Sequence, residues 1–420
     1  MVTSIYILAD TIMVGQGVGD AGLAALTIFM PIVASFFALG LLLGVGGGVL
    51  MSVAKGSGNE SLAHKYFSTA MISAAVVSVC FAVFGAIFFD PMMYALGADT
   101  TNIELVRGYG LCYTVSAPLF IFSSSLQSFI RNDKSPRHAM IAVLTGSALN
   151  ILLDYLFIFV FKMGMFGASF ATSIGTSITV CILVIHFFTK KNTMRFSFRF
   201  FSIKALWEIA KCGFSSFLIE CANAVLVFVF NHTLLKYIGS VGVTVYSIMS
   251  NVAVVCMSLF NGVTLAAQPI IATNHGADNH KRVLQVRHIG TITSSVIAVI
   301  IFCVGFFFPD LLIYSYVKGP TPEILELARY ALRIYFFAYL FMNFNIFFSG
   351  YFQSTLRPVA AITIQILRSL LLSSVLVSVL PMIFGADAIW YAVPITECIT
   401  FFVAMAFLFF GRFQKTKEAK

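Results

Sequence analysis

Twelve long, continuous apolar runs constrain this chain more than any other feature. They lie at about 1–19, 22–53, 64–90, 100–130, 138–161, 166–189, 205–236, 242–272, 284–309, 322–353, 359–381 and 384–411. Crossing roughly 30 Å of hydrocarbon takes about 20 mostly apolar residues in helical form. A soluble chain of 420 residues would divide into two or three cores, yet only 10% of this one is charged and 59% is hydrophobic. That leaves too little polar surface for a water-exposed shell. A transmembrane β-barrel would show short segments of alternating polarity, and these runs do not alternate. The expected fold class is therefore an all-α integral membrane protein with twelve transmembrane helices.

The charges supply the expected orientation. Lys55 and Lys65, then Arg131, Lys134 and Arg137, then Lys190 to Lys204, then Lys281, Arg282 and Arg287, and then Arg357 fall in alternate connections. Arg412, Lys415, Lys417 and Lys420 follow in the tail. The intervening connections carry Asp20, Asp90, Asp99, Asp310, Glu323 and Asp387. Cytoplasmic connections are the basic ones, so both termini are expected in the cytoplasm. The net charge of +9 is accounted for by this bias without a nucleic-acid partner. The eight cysteines stand singly, with no metal-binding spacing, and read as packing residues. No cleavable signal peptide is evident. The first run is about 28 Å of helix, barely one crossing, and the native chain is expected to extend ahead of Met1.

The two halves repeat weakly at an offset of about 220 residues. Leu105-Val106-Arg107 answers to Leu327-Ala328-Arg329, and Ser135-Pro136 to Arg357-Pro358. Six crossings per half bring both halves into the membrane in the same sense. The expectation is two six-helix bundles related by a pseudo-two-fold axis along the membrane normal, as in rocking transporters. The expected division is an N-lobe at 1–189, a basic cytoplasmic linker at 190–204, a C-lobe at 205–411 and a tail at 412–420.

Ionisable residues inside a membrane are functional candidates by default. Four acids qualify: Asp10, Asp154, Glu220 and Glu397, with Arg368 as the mid-helix cation. Asn150 and Asp154 stand one helical turn apart on one face. The next run offers a hydroxyl stripe of Ser169, Thr172, Ser173, Thr176 and Ser177. Carboxylate, amide and hydroxyl oxygens suit a hard cation, and paired acids can share a proton. Helix-to-helix hydrogen bonding is the competing account. Glu220, with Asn223 and Asn231 on the same face, and the amides Asn251, Asn261, Asn343, Asn345 and Gln353 make a polar interior in the second half. An acid among aromatic side chains attracts lipophilic cations. Glu397 and Arg368 are expected to pair across the last two helices. No nucleotide-binding loop, catalytic triad or metal motif is present, so energy is expected from an ion gradient.

The segments Tyr6 to Gly15, Ile130-Arg131-Asn132-Asp133 with Pro136, Asn150 to Asp154 and Phe217-Leu218-Ile219-Glu220 make the chain resemble the multidrug and toxic compound extrusion (MATE) family over about residues 1–411, nearest its bacterial drug/cation antiporters. The resemblance implies alternating-access efflux of lipophilic or cationic compounds in exchange for Na+ or H+. It implies a multi-pass protein of the bacterial inner membrane, acting as a monomer without cofactor or enzymatic activity. It implies a cation site of Asp10, Asn150, Asp154 and Thr172, with Tyr109 and Gln127 lining the same cavity and Glu220 as the seventh-helix acid. Asn223 and Asn343 are placed with Glu220 in the substrate cavity. Some members carry an acid in the tenth helix where this chain has Leu340 to Asn345, which favours the N-lobe site. The rival functions are a flippase for lipid-linked precursors, which would need a cationic cavity, and less plausibly a channel or a membrane enzyme.

Overall fold

The structure is a computed structural model describing the backbone of residues 2–317 and 319–418 and the side chains of residues 9–222, 225–317 and 319–409. Among these residues ten helices are long and apolar enough to cross a membrane, and a bent pair makes an eleventh. The first helix, α1 (Val2–Gly17), is shorter.

The first compact unit spans Met1–Glu220. After α1 it contains α2 (Asp20–Gly56), α3 (Glu60–Ile87), the short α4 (Phe89–Ala95), α5 (Ile103–Val115), α6 (Ala117–Asn132), α7 (Pro136–Tyr155) and α8 (Gly164–Ile185), and it ends within α9 (Ile203–Tyr237). The helix α2 packs on α3 and α6, and α7 lies along α8. The fourth apolar run, expected to be one helix, is two: α5 and α6 meet at Ser116 with a 52° bend. Pro118 lies in the first turn of α6, and its missing N–H and bulky ring prevent α5 from continuing. An aromatic column fills the core beside the bend. Tyr113 and Phe120 stack at 4.2 Å between centroids, with Phe36 against both.

The second unit spans Cys221–Lys420. It contains α10 (Ser240–Gly276), α11 (His280–Phe307), the short α12 (Pro309–Tyr316), α13 (Pro322–Ser354), α14 (Pro358–Ile366), α15 (Leu372–Phe384) and α16 (Ala392–Glu418). The helix α13 is its axis, packed on α10, α11 and α16. Its core gathers Phe230, Tyr246, Phe260, Tyr335, Phe336, Tyr339 and Trp390.

The duplication seen in the sequence recurs in local geometry. Gly19 (φ 89°) and Gly239 (φ 81°) open α2 and α10, in a backbone region costly to any residue with a Cβ. Asn59 and Asn279 cap α3 and α11 by accepting from Leu62 N and Arg282 N. Asp90 pairs with Arg107, and Asp310 with Arg329. The division between units differs from the expected linker. Residues 190–204 pack on α3, where Ser68 Oγ donates to Arg195 O and Thr69 Oγ1 to Phe200 O. The change from one unit to the other therefore falls inside α9.

Large apolar side chains such as Phe84, Ile87, Leu152, Phe228, Val359 and Phe384 stand exposed, a surface suited to lipid and costly in water. Three of the cysteines expected in packing, Cys80, Cys181 and Cys221, also face outward, while Cys212 and Cys256 are buried.

Candidate functional site

Polar residues concentrate inside the first unit where α1, α7 and α8 meet. The seam between α7 and α8 is set by two glycines. A methyl group at Gly175 would lie 2.8 Å from the Gly146 carbonyl oxygen and 2.9 Å from Asn150 Cβ, so only glycine permits this approach. At that distance Asn150 Nδ2 donates to Thr172 Oγ1 at 3.2 Å, and Thr172 Oγ1 donates to Ala168 O at 3.0 Å. One turn further along α7, Asp154 is fully buried. Asp10, from α1, is 7% exposed and within electrostatic reach of it. Asn150 lies near enough to Asp154 for a weak hydrogen bond to its carboxylate, but no well-formed hydrogen bond reaches Asp154 Oδ1 or Oδ2, Asp10 Oδ1 or Asn150 Oδ1, all of them buried. Leaving such oxygens unmatched costs about 1–3 kcal/mol each. A shared proton or an oxygen-loving cation removes that cost, so the oxygen set fits a hard cation or a shared proton.

The other residues singled out in the sequence are more scattered. Tyr109 is buried in the aromatic column against Phe29 and Tyr113. Gln127, on α6, donates to Ser123 Oγ at 3.1 Å. Glu220 is partly buried on α9, and the side chain of Asn223 lies outside the described residues. Asn343 is buried and occupied: its Nδ2 donates to Leu340 O and Tyr339 O, and its Oδ1 accepts from Ser294 Oγ. That arrangement ties α13 to α11. The pairing of Arg368 with Glu397 is present. Arg368 Nη2 donates to Glu397 Oε1 at 2.8 Å, and Asn345 Nδ2 donates to Glu397 Oε2 at 2.7 Å. The π turn Leu367–Leu371 carries Arg368. Asn345 was legible only as one of several amides.

A second buried network was not anticipated: Lys55 reads as a loop charge, Asp133 enters only through the family-like segment Ile130 to Asp133, and His186 and Thr193 carry no sequence signal. Asp133, at the end of α6, accepts from Lys55 Nζ at 2.5 Å, from His186 Nε2 at 2.9 Å, and from the Thr193 backbone N–H at 3.0 Å and hydroxyl. Burial alone would push its carboxyl up. The donors from Lys55, Thr193 and His186 outweigh that and hold it below the ordinary carboxylate range.

The comparisons agree with this architecture. A family model described as MatE matches residues 1–156 and 212–379. The multidrug export protein MepA of Staphylococcus saprophyticus is 26% identical, covering 100% of this chain and 92% of that protein. MepA of Staphylococcus haemolyticus is 25% identical, covering 96% and 89%. Among solved structures, an outward-facing multidrug resistance MATE family transporter superposes with a TM-score of 0.91 at 21% identity, over 99% of this chain and 92% of that one. A transporter of the same superfamily from Pyrococcus furiosus, described as having a binding pocket of reversed polarity, gives 0.90 at 22% identity, over 100% and 93%.

Proposed function

The chain belongs to the MatE family, and on that premise we propose that it is a secondary antiporter exporting lipophilic or cationic compounds in exchange for Na+ or H+. The observation that carries the reading is the buried, donor-poor oxygen cluster of Asp10, Asn150, Asp154 and Thr172. Two carboxylates in a low-dielectric interior repel unless a cation or proton lies between them. Binding the ion draws α1 toward α7 and α8, and releasing it relaxes that contact. An ion-dependent repacking of α1 is a two-state element through which a gradient can drive export. Glu220 serves as the acid facing cationic substrate. The MepA relatives, named as multidrug export proteins, support the substrate class. The flippase alternative would need an uncompensated buried cation. Arg368 is neutralised by Glu397, whereas Asp10 and Asp154 face no basic partner among the described residues; Arg131, whose Nε is buried without a partner and whose Nη2 donates to Ser128 Oγ, is the group a flippase would have to use. The proposed setting is a bacterial cell membrane with both termini cytoplasmic.

The test is transport into or out of proteoliposomes containing the purified chain and a fluorescent organic cation. Imposed Na+ and H+ gradients are each expected to be tested alone. Accelerated export under one of them supports antiport, and export indifferent to both refutes it.

A further inference from the structure

A cavity of about 540 Å³ opens where α6, α7 and the end of α8 meet. Lys134, Arg137, Lys190 and Lys191 are exposed around it, and none of them is paired with a carboxylate among the described residues. Its inner wall holds His186, 1% exposed, and Ser135, 7% exposed. Ser135 Oγ has no hydrogen-bond partner. Asp133, which contacts the inner-wall His186, is already met by Lys55, His186 and Thr193. The site therefore offers a buried hydroxyl and four cations unpaired with carboxylates, which together suit a phosphate group.

The repeat does not require this cluster. The loop of the second unit built in the same way, with Leu356 at φ 54° answering Lys134 at φ 60°, places Leu356, Arg357, Pro358 and Val359 where the first unit has Lys134, Ser135, Pro136 and Arg137.

Beyond Arg137 the surface of α7 turns apolar within one turn. Met140, Ile141, Leu144 and Leu152 are 54%, 53%, 42% and 59% exposed. A shallow groove of about 590 Å³ runs along Leu144, Ala148, Leu149 and Leu152. Arg137 and Leu144 are seven residues apart on one face, about 10 Å along the helix. A cationic pocket at one level and an apolar groove at the next match the headgroup and acyl chain of a single molecule. We propose that this is a binding site for an anionic phospholipid, with its phosphate in the basic pocket and an acyl chain along α7. The proposal rests on the membrane-spanning reading and not on antiport, so a failed export assay leaves it standing.

The experiment measures lipid binding to the full chain in detergent by native mass spectrometry and thermal unfolding. Added phosphatidylglycerol is expected to bind and raise the unfolding midpoint, whereas phosphatidylcholine and inorganic phosphate at equal concentration are not. Replacing three of the cations together, Arg137→Gln with Lys190→Gln and Lys191→Gln, is expected to weaken phosphatidylglycerol binding by roughly a hundredfold. The lipid-free midpoint should stay unchanged. A control of equal charge, Lys204→Gln with Lys281→Gln and Arg282→Gln, is expected to bind as the parent does. Ser135→Val fills the pocket without altering charge and is expected to weaken binding too, which keeps the test open if the triple variant does not fold. Parental affinity in the triple variant or in Ser135→Val overturns the site. Equal loss in the control shows diffuse surface attraction and overturns it as well. Equal stabilisation by inorganic phosphate alone overturns the lipid in favour of a free-phosphate site.

Discussion

At the scale of single residues, two buried carboxylate systems of opposite design sit in one chain. Asp154, and Oδ1 of Asp10, are buried without a well-formed hydrogen bond, while Glu397 is saturated by Arg368 and Asn345. On the proposed reading the first takes up a cation; the second is already neutral as a pair. Asp10→Asn and Asp154→Asn are each expected to abolish gradient-driven export while the protein still reaches the membrane. Vesicle transport beside a surface-expression measurement checks this, and normal gradient response in either variant defeats the shared site. Glu220→Gln is expected to reduce transport of cationic drugs by roughly tenfold while sparing neutral ones, because an acid in an apolar setting discriminates by charge. Equal loss for both drug classes would point to folding or coupling. For the buried pair, Arg368→Met alone strands Glu397 and is expected to destabilise by about 3–5 kcal/mol. Arg368→Met combined with Glu397→Leu should recover most of that loss. Thermal unfolding of the three proteins decides whether the pair acts as a pair.

At the scale of elements, the site depends on how closely two helices can run. Gly146 and Gly175 let α7 and α8 approach until Asn150 reaches Thr172. Gly175→Ala puts a methyl group 2.8 Å from backbone oxygen, which forces the helices apart at a cost of about 1–3 kcal/mol. The expected result is a lower unfolding midpoint together with weaker ion dependence of transport. Gly262→Ala, where nothing lies within 4 Å, is expected to leave both unchanged. The break between α5 and α6 belongs to the same scale. Pro118 lies in the first turn after it, whereas the corresponding stretch of the second unit, from Pro322 to Ser354, is one straight-through helix. The halves therefore share a plan but not every joint.

At the scale of the whole molecule, alternate basic connections predict which side each loop faces. Single cysteines replacing Ser57, Lys191 or Ala277 are expected to react with impermeant reagents only from the cytoplasmic side, and cysteines at Asp99 or Asp387 only from outside. Labelling of the Lys191 position in intact cells would invert the topology and move the proposed lipid site to the opposite leaflet. The two units repeat their caps, their glycine turns and their aspartate–arginine pairs. The caps and glycine turns survive duplication because each is dictated by backbone geometry within a few residues; the aspartate–arginine pairs, 17 and 19 residues apart, survive because the same two helices pack together in each unit.

What was legible in the sequence follows the same division of physical causes. Hydrophobic run length alone determines membrane helices, since the bilayer imposes a minimum span and demands internal hydrogen bonds. Asn150 and Asp154 could be placed on one face because helical periodicity is local. Asp10 joined them only through a family likeness, and folding brought α1 against α7. Sequence could not reveal that Lys55, counted as a loop charge, ends on Asp133, nor that Asn345 completes the Arg368–Glu397 pair. Those partners are separated by 78 and 52 residues, and no local pattern links positions so far apart. The turn chemistry of Lys134 and Ser135, the α7 surface and the end of α8 likewise acquire a shared meaning only once packed. Apolar pattern determined which segments cross the membrane; tertiary packing decided which polar groups inside it are satisfied and which are left to find a ligand.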